Sequence, residues 1–162
     1  MAFHCDLCGK DHEGLPDLGF DAPDPYLAVP ESERAARTTF TLDRCTVEDE
    51  DGMHFFVRAV ISIPIHGEDE PFGIGAWVSQ SERNYERYVG GEEEMEPTFG
   101  WLVNRIPHYE PTTMLLKTRL HFRGERMRPS VELEPTDHPL AVDQRDGITL
   151  ERAWAIVHKY MH

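Results

Sequence analysis

Apolar and polar side chains alternate along residues 53–65, and this pattern restricts the fold more than any other feature of the chain. The apolar positions are Phe55, Val57, Ala59, Ile61, Ile63 and Ile65, and the polar positions between them include His54, Arg58 and Ser62. A period of two residues is typical of a β-strand that buries one of its faces. We therefore predict a half-buried strand over this stretch.

The same alternation recurs in three other places. Residues 72–79 are predicted to form a second strand, which a turn joins to the first as an antiparallel neighbour. Residues 114–122 and 131–133 are predicted to form a hairpin, because only a short link containing Gly and Pro separates them. These segments predict a mostly antiparallel sheet.

Helical periodicity is strongest at the end of the chain. The apolar residues that follow Thr149, a candidate N-cap, are Leu150, Ala153, Trp154, Val157 and Met161. Their spacing predicts a C-terminal amphipathic helix over residues 149–161. Shorter helices are predicted over residues 30–37 and after Ser81. Strands joined mainly by short turns, together with these helices, indicate an α+β fold.

The whole chain, residues 1–162, is predicted to be a single domain. Its length and its 40% apolar content support one sizeable core. Residues 1–30 are rich in Pro and Gly, which predicts an irregular, metal-binding arm of the zinc-knuckle type. Residues 38–135 are then the sheet-forming region, and residues 149–161 the terminal helix.

Two cysteines in the N-terminal arm have a spacing that suits a metal ion. Cys5 and Cys8 are separated by two residues, and Gly9 permits the tight turn that directs both sulfur atoms towards one ion. We predict that the ion is zinc. A thioredoxin-like redox pair is an alternative, although the Pro- and Gly-rich continuation lacks the strand and helix that flank such pairs. A third alternative is a set of plain reduced thiols.

A closed zinc site needs four ligands, and the chain offers further cysteine and histidine residues to complete one. The predicted metal ligands are Cys5, Cys8, His12 and Cys45, with His4 or His54 as replacements for His12. Four protein ligands leave no open position for water, so this site is predicted to stabilise the arm rather than to catalyse a reaction.

An Asp-His pair between two prolines is the second group with chemical potential. Asp137 and His138 lie between Pro135 and Pro139, and Glu134 precedes them at the end of a predicted strand. A histidine that a carboxylate orients can act as a general acid or base, which makes His138, Asp137 and Glu134 candidate catalytic residues. A loop histidine that forms turn hydrogen bonds beside solvent-facing carboxylates is the commoner alternative.

The charge of the chain restricts its partners. It has 30 acidic and 16 basic residues, a formal net charge of −14. Nucleic acids and anionic membranes bind through Lys and Arg, so neither is a predicted partner. The charge is compatible with a basic protein partner, and a solvated surface that keeps the protein soluble is the simpler interpretation. The N-terminus lacks the features of an export signal, which predicts a cytoplasmic protein.

Aromatic residues offer material for a binding groove. Phe99-Gly100-Trp101-Leu102 and Tyr109 supply aromatic surface, and Trp77 lies on its strand opposite the aliphatic side chains. A groove lined by Trp77 and Trp101 is one prediction. Packing in the core is the alternative, and the one favoured for Trp101.

Several motifs spread along the chain occur together. They are Phe3-x-Cys5-x-x-Cys8-Gly9-x-x-His12, Asp43-x-Cys45, Phe99-Gly100-Trp101-Leu102, Arg128-Pro129 and the run from Leu133 to Ala141 that continues to Gly147-Ile148. In this combination the chain resembles the bacterial domain-of-unknown-function family 2199 over nearly its whole length. The resemblance implies a stand-alone bacterial cytosolic domain and implies no activity.

Two functions from different classes are compatible with the sequence. The first is a non-enzymatic, zinc-stabilised protein that binds a basic partner, as an immunity-type or regulatory factor would. The second is an enzyme or small-ligand binder that uses the region of Asp137 and His138. A deep pocket at His138 would favour the second.

Overall fold

The computed structural model describes residues 2–4, 11–92, 94–124 and 127–161, with side chains from Gly14 onward. The strands are β1 (Ala2–His4), β2 (Asp11–Glu13), β3 (Leu18–Gly19), β4 (Thr38–Phe40), β5 (Arg44–Asp49), β6 (Gly52–Ile63), β7 (Phe72–Gln80), β8 (Thr98–Trp101), β9 (Lys117–His121) and β10 (Ser130–Leu133). The helices are α1 (Asp24–Leu27), α2 (Glu31–Arg37), α3 (Glu82–Val89), α4 (Pro139–Asp146) and α5 (Leu150–Met161). None of the described helices has the length and apolar character that crossing a membrane requires.

The long strand predicted from the alternation is β6, and its antiparallel neighbour is β7. Their register runs from Phe55 opposite Gln80 to Ile63 opposite Phe72. Val57 and every second residue up to Ile63 are buried in the main core, as the period of two requires. The predicted pairing of these two strands is confirmed.

The main sheet is mixed, although most of its pairs are antiparallel. The strand order is β3-β7-β6-β10-β9-β8, and β5 and β4 extend the sheet beside the first half of β6. The predicted hairpin of β9 and β10 is confirmed. Two pairs are parallel, β3 with β7 and β10 with β6. The predicted mostly antiparallel sheet is therefore correct in outline only, because long connections bring the parallel partners together.

The sheet also curls until its last strand meets β7 again. Leu102, just after β8, forms an antiparallel bridge with Val78. The amide of Val103 donates a 2.9 Å hydrogen bond to the carbonyl of Trp77. The strands β7, β6, β10, β9 and β8 thus form a closed circuit, which leaves β8 with few unpaired backbone groups.

Two helices cover the main core. The core residues that they supply are Leu140 and Ala141 from α4, and Ala153, Trp154, Ile156 and Val157 from α5. The C-terminal helix agrees with the prediction, and the side chain of Thr149 accepts a hydrogen bond from the amide of Arg152. The sequence pattern predicts no helix at α4, although Pro139 stands at a favoured first position.

A second, smaller core lies on the opposite face of β6 and β7. It contains Val29, Cys45, Val47, Phe56, Trp77 and Val103. The indole Nε1 of Trp77 donates a 2.8 Å hydrogen bond to the carbonyl of Phe20, and this contact fastens the N-terminal segment to the sheet. The predicted position of Trp77, opposite the aliphatic side chains, is confirmed.

The N-terminal arm has more regular structure than the sequence predicts. The strands β1 and β2 pair as a separate antiparallel hairpin, β3 joins the main sheet beside β7, and α1 follows. The abundance of Pro and Gly in residues 1–30 predicts an irregular arm, but it limits the elements to a few residues each rather than excluding them.

Candidate functional site

His138 caps a helix and fastens a loop. Its ring Nδ1 accepts a 3.0 Å hydrogen bond from the amide of Leu140, which caps the N-terminus of α4. Its Nε2 lies 2.9 Å from the carbonyl oxygen of Pro111, an acceptor, so the proton of the neutral ring is on Nε2. Both nitrogens of this buried ring therefore hold backbone groups.

The other two candidate catalytic residues do not converge on this ring. Asp137 and Glu134 are exposed, and among the described residues neither forms a hydrogen bond with His138. Glu134 lies instead on the outer face of the sheet at the end of β10, where its amide donates to the carbonyl of Lys117. The three side chains do not form an acid and base pair in this arrangement.

A polar network around the buried residues Tyr109 and Asp143, which no sequence pattern predicts, joins the same loop to α4 and α5. The hydroxyl of Tyr109 donates to Asp143 Oδ2 over 2.7 Å, and the guanidinium of Arg152 donates to the same oxygen over 2.8 and 3.0 Å. Burial and the hydrogen bond to Asp143 raise the pKa of Tyr109. Burial, followed by the charge of Arg152, lowers the pKa of His108. The hydrogen bonds pair Tyr109, Asp143 and Arg152 with one another, so the network holds the loop against α4 and α5.

The predicted metal ligands lie mostly outside the described side chains. Cys5 and Cys8 fall within residues 5–10, which lie outside the described residues, and only the backbone of His12 and of His4 is described. Cys45 lies fully buried in the smaller core, where its Sγ contacts the carbonyl of Thr46 at 3.8 Å. Burial raises the pKa of this thiol to about 12. The four-ligand set stays a prediction.

The alternative ligand His54 has a carboxylate beside it. Its Nε2 lies 2.8 Å from Asp49 Oδ2, and this contact lowers the pKa of Asp49. Within the described part of the chain, no three His, Cys, Asp or Glu side chains are grouped closely enough to hold a metal ion.

Two aromatic side chains stand side by side on the outer face of β8. Phe99 and Trp101 are 53% and 39% exposed, and their rings meet edge to face with centroids 5.0 Å apart. We call this pair the aromatic ridge. The residues between and before them, Gly100 and Thr98, are buried. The strand therefore exposes its two large aromatic side chains and buries a threonine and a glycine, the reverse of the usual pattern.

The backbone under the ridge is held rigidly against β7. A Cβ atom at Gly100 would overlap the carbonyl oxygen of Ser79 and the side chain of Val78, so only glycine permits this approach. Gln80 Nε2 donates to the carbonyl of Phe99 over 3.1 Å, and the amide of Trp101 donates to the hydroxyl of Ser79 over 2.9 Å. The Phe-Gly-Trp sequence thus fixes both rings relative to the sheet.

A groove of about 680 Å³ runs along one side of the ridge. We call it the apolar groove; its large apolar lining residues are Met53, Phe55, Phe56, Phe99, Trp101 and Leu115. Leu115 has a positive φ of 65° and exposes 60% of its side chain. Two backbone hydrogen bonds hold this segment in place. The amide of Leu115 donates to the carbonyl of Leu102, and the amide of Leu102 donates to the carbonyl of Leu116.

The charges differ between the two sides of the ridge. Asp49 and Glu82 line the apolar groove, and its described lining residues include no Lys or Arg. On the other side, Lys117 lies opposite Trp101 and Arg119 lies opposite Phe99. We call these two residues the cationic flank. They line a depression of about 840 Å³, which extends to Glu132 and Glu134.

The predicted groove is therefore corrected in one of its two residues. Trp77 is completely buried in the smaller core and contributes nothing to a surface. Trp101, for which core packing was the favoured prediction, is exposed on the ridge. The inverted alternation of β8 is the only signal in the sequence, and a pattern of period two does not state which face is buried.

The family model described as "uncharacterized protein conserved in bacteria" (DUF2199) matches residues 4–148. The chain belongs to this family. The DUF2199 match includes the aromatic ridge, the cationic flank and His138, and it ends before α5. Comparisons with curated proteins and with solved structures give no match.

Proposed function

We propose that this DUF2199 protein is a non-enzymatic binding module whose apolar groove receives a segment of a basic protein partner. The observation that carries the proposal is the exposed aromatic ridge, held rigid above a groove that only apolar, neutral polar and acidic side chains and one histidine line. Exposed Phe and Trp side chains are typical anchors of protein interfaces.

The rigidity of the ridge supports this function. Phe99 and Trp101 are fixed through their own backbone by Gln80, Ser79 and Gly100, so a partner would lose little free energy in ordering them. Leu115 adds an exposed apolar side chain on a strained backbone. The strain costs stability, and the side chain does not offset it by packing in the core.

Charge supports a basic partner. The chain has a formal net charge of −14, and Asp49 and Glu82 place carboxylates at the groove itself. Such a field accelerates encounter with a Lys- or Arg-rich surface, while the buried aromatic contacts determine how slowly the complex dissociates.

The test compares two truncations of exposed apolar side chains in capture from an extract of the encoding bacterium. Trp101→Ala removes half of the ridge, and Leu42→Ala removes a side chain that is 72% exposed and lies outside the groove. A partner that the wild type and Leu42→Ala retain, and that Trp101→Ala binds about thirtyfold or more weakly once purified, supports the proposal. Equal retention by all three proteins contradicts it.

The zinc site is a second part of the proposal. Its support is the pairing of β1 with β2, which are joined by the segment that carries Cys5 and Cys8. A hairpin whose connecting segment contains two thiols separated by two residues is a common form of half a zinc site. The buried position of Cys45 argues that the remaining ligands come from elsewhere in the arm.

A further inference from the structure

We infer that the partner segment is ordered in charge, with a basic residue on the groove side of an apolar anchor and an acidic residue on the other side. This inference rests on the proposed function and adds the orientation of the bound segment. On one side of the aromatic ridge Asp49 and Glu82 line the groove. On the other side the cations Lys117 and Arg119 lie next to the rings, and Glu132 and Glu134 lie beyond them on the following strand. A segment that crosses the ridge contacts both sides.

The groove side selects the basic residue. Asp49 and Glu82 are both exposed, and no described Lys or Arg lines the same groove. His54 Nε2 lies 2.8 Å from Asp49 Oδ2, whereas Glu82 makes no ion pair with any described residue. A Lys or Arg that enters here meets the carboxylate of Glu82 together with that of Asp49.

The cationic flank selects the acidic residue. The side chains of Lys117 and Arg119 make no hydrogen bond or ion pair with any described residue, although both are exposed beside the aromatic rings. Several other cations of the chain are paired, as Arg128 is with Asp43 and Arg152 is with Asp143. Two adjacent unpaired cations on a protein with a net charge of −14 therefore form a local site for a carboxylate.

The next strand limits how far the acidic part extends. Glu132 lies opposite Arg119 on β10, and Glu134 lines the same depression. A second acidic residue that reached this strand would meet like charge, which disfavours a long acidic run. Because neighbouring strands are about 4.8 Å apart, the step from the ridge on β8 to the flank on β9 corresponds to roughly one to two residues of extended chain.

The experiment is selection from a displayed library of random dodecapeptides on the full protein. Trp101→Ala identifies the peptides that need the ridge. The double variant Lys117→Glu, Arg119→Glu reverses the cationic flank. The double variant Arg145→Glu, Lys159→Glu changes the net charge equally on α4 and α5, at residues that line neither the groove nor the depression.

The expected result is a set of Trp101-dependent peptides that carry Lys or Arg and Asp or Glu on opposite sides of an aromatic or large aliphatic residue. Reversal of the cationic flank should weaken these peptides about fivefold to tenfold and change the selected acidic position to a basic one. The control variant should leave the selected sequence unchanged.

Failure of the inference is distinguishable from failure of the proposed function. Trp101-dependent peptides without a charge order, or with an order that reversal of the flank leaves unchanged, overturn the inference and leave the binding function in place. A library that yields no Trp101-dependent peptide overturns both.

Discussion

Leu115 is a single residue whose conformation conflicts with its chemistry. A positive φ favours Gly or Asn, and an exposed position favours a polar side chain, yet a leucine occupies this site in the apolar groove. The conflict is explained if the side chain serves binding rather than folding, since strained residues concentrate at functional sites.

Leu115→Asn is expected to separate stability from binding. Asparagine tolerates the left-handed backbone, so the free energy of unfolding should stay unchanged or rise by up to about 1 kcal/mol. Affinity for a groove-binding partner or peptide should fall about tenfold, because the apolar contact is lost. Chemical denaturation and titration measure the two effects, with Leu42→Asn as the control. A loss of more than about 1 kcal/mol in stability would show that Leu115 belongs to the folding core.

Cys45 is a residue whose reactivity follows from burial. Its pKa is raised from 9.0 to about 12, so the folded protein keeps the thiol protonated at neutral pH. A group whose pKa is raised on folding contributes stability below its unfolded pKa. This contribution is therefore complete below about pH 9 and is lost as pH rises from there towards about 12.

We expect Cys45 to resist alkylation by iodoacetamide at pH 8 in the folded protein and to react rapidly in denaturant, because only the thiolate attacks the reagent. Peptide mass spectrometry reads Cys45 separately from Cys5 and Cys8. Equal rates of Cys45 labelling with and without denaturant would contradict the buried position.

At the scale of elements, the junction of β8 with β7 both closes the sheet and carries the binding surface. Gly100 is the point of closest approach, and Thr98 supports it by donating a 2.6 Å hydrogen bond to Gln80. A change that separates these two strands would therefore disturb the fold and the ridge together.

Gly100→Ala is expected to lower the free energy of unfolding by about 2 to 3 kcal/mol, because the added methyl group overlaps Ser79 and Val78. Gly19→Ala is the matched control in a neighbouring strand, where a Cβ atom would meet its nearest atom at 3.6 Å. Denaturant unfolding measures both. Equal stability of the two variants would contradict the close approach of β8 to β7.

The capping role of His138 also predicts a difference between two substitutions. His138→Ala loses both the cap of α4 and the hydrogen bond to Pro111, at a cost of about 2 kcal/mol. His138→Asn keeps a capping side chain and should lose only about 1 kcal/mol. Thermal and denaturant unfolding distinguish them. Equal destabilisation by the two substitutions would argue against the cap.

At the scale of the whole molecule, the N-terminal hairpin lies outside the main sheet. Its strands β1 and β2 pair only with each other, and among the residues whose side chains are described the buried members of both cores begin at Leu18. A metal bound through Cys5 and Cys8 would therefore order the hairpin, whereas the core helices and the sheet hold the rest of the chain.

Cys8→Ser is expected to remove zinc from the purified protein while the main unfolding transition moves little. Cys45→Ala should keep the zinc, because its thiol lies in the smaller core, and should lower the stability of that core instead. Elemental analysis and calorimetry measure the two effects. Zinc that persists in Cys8→Ser, or that disappears in Cys45→Ala, would overturn this assignment. Wild-type protein that contains no zinc after gentle purification would exclude the metal.

Local pattern was sufficient for much of the fold. The alternation of β6 and β7, the spacing of α5 and the short helix after Ser81 each depend on side chains close in sequence, and each is confirmed. The parallel pairing of β10 with β6, and the burial of Asp143 with Tyr109 and Arg152, depend on distant contacts. No periodicity encodes such contacts, because periodicity describes one element at a time.

The candidate site shows the same division. By itself the sequence determined that Phe99 and Trp101 share one side of an extended segment and that Gly100 lies on the other. Tertiary structure alone decided which side faces solvent: closure of the sheet brings β8 so near β7 that only glycine fits between them, and the two rings are left outside. The same closure places Lys117 and Arg119 beside the rings, because cross-strand neighbours depend on register between distant segments.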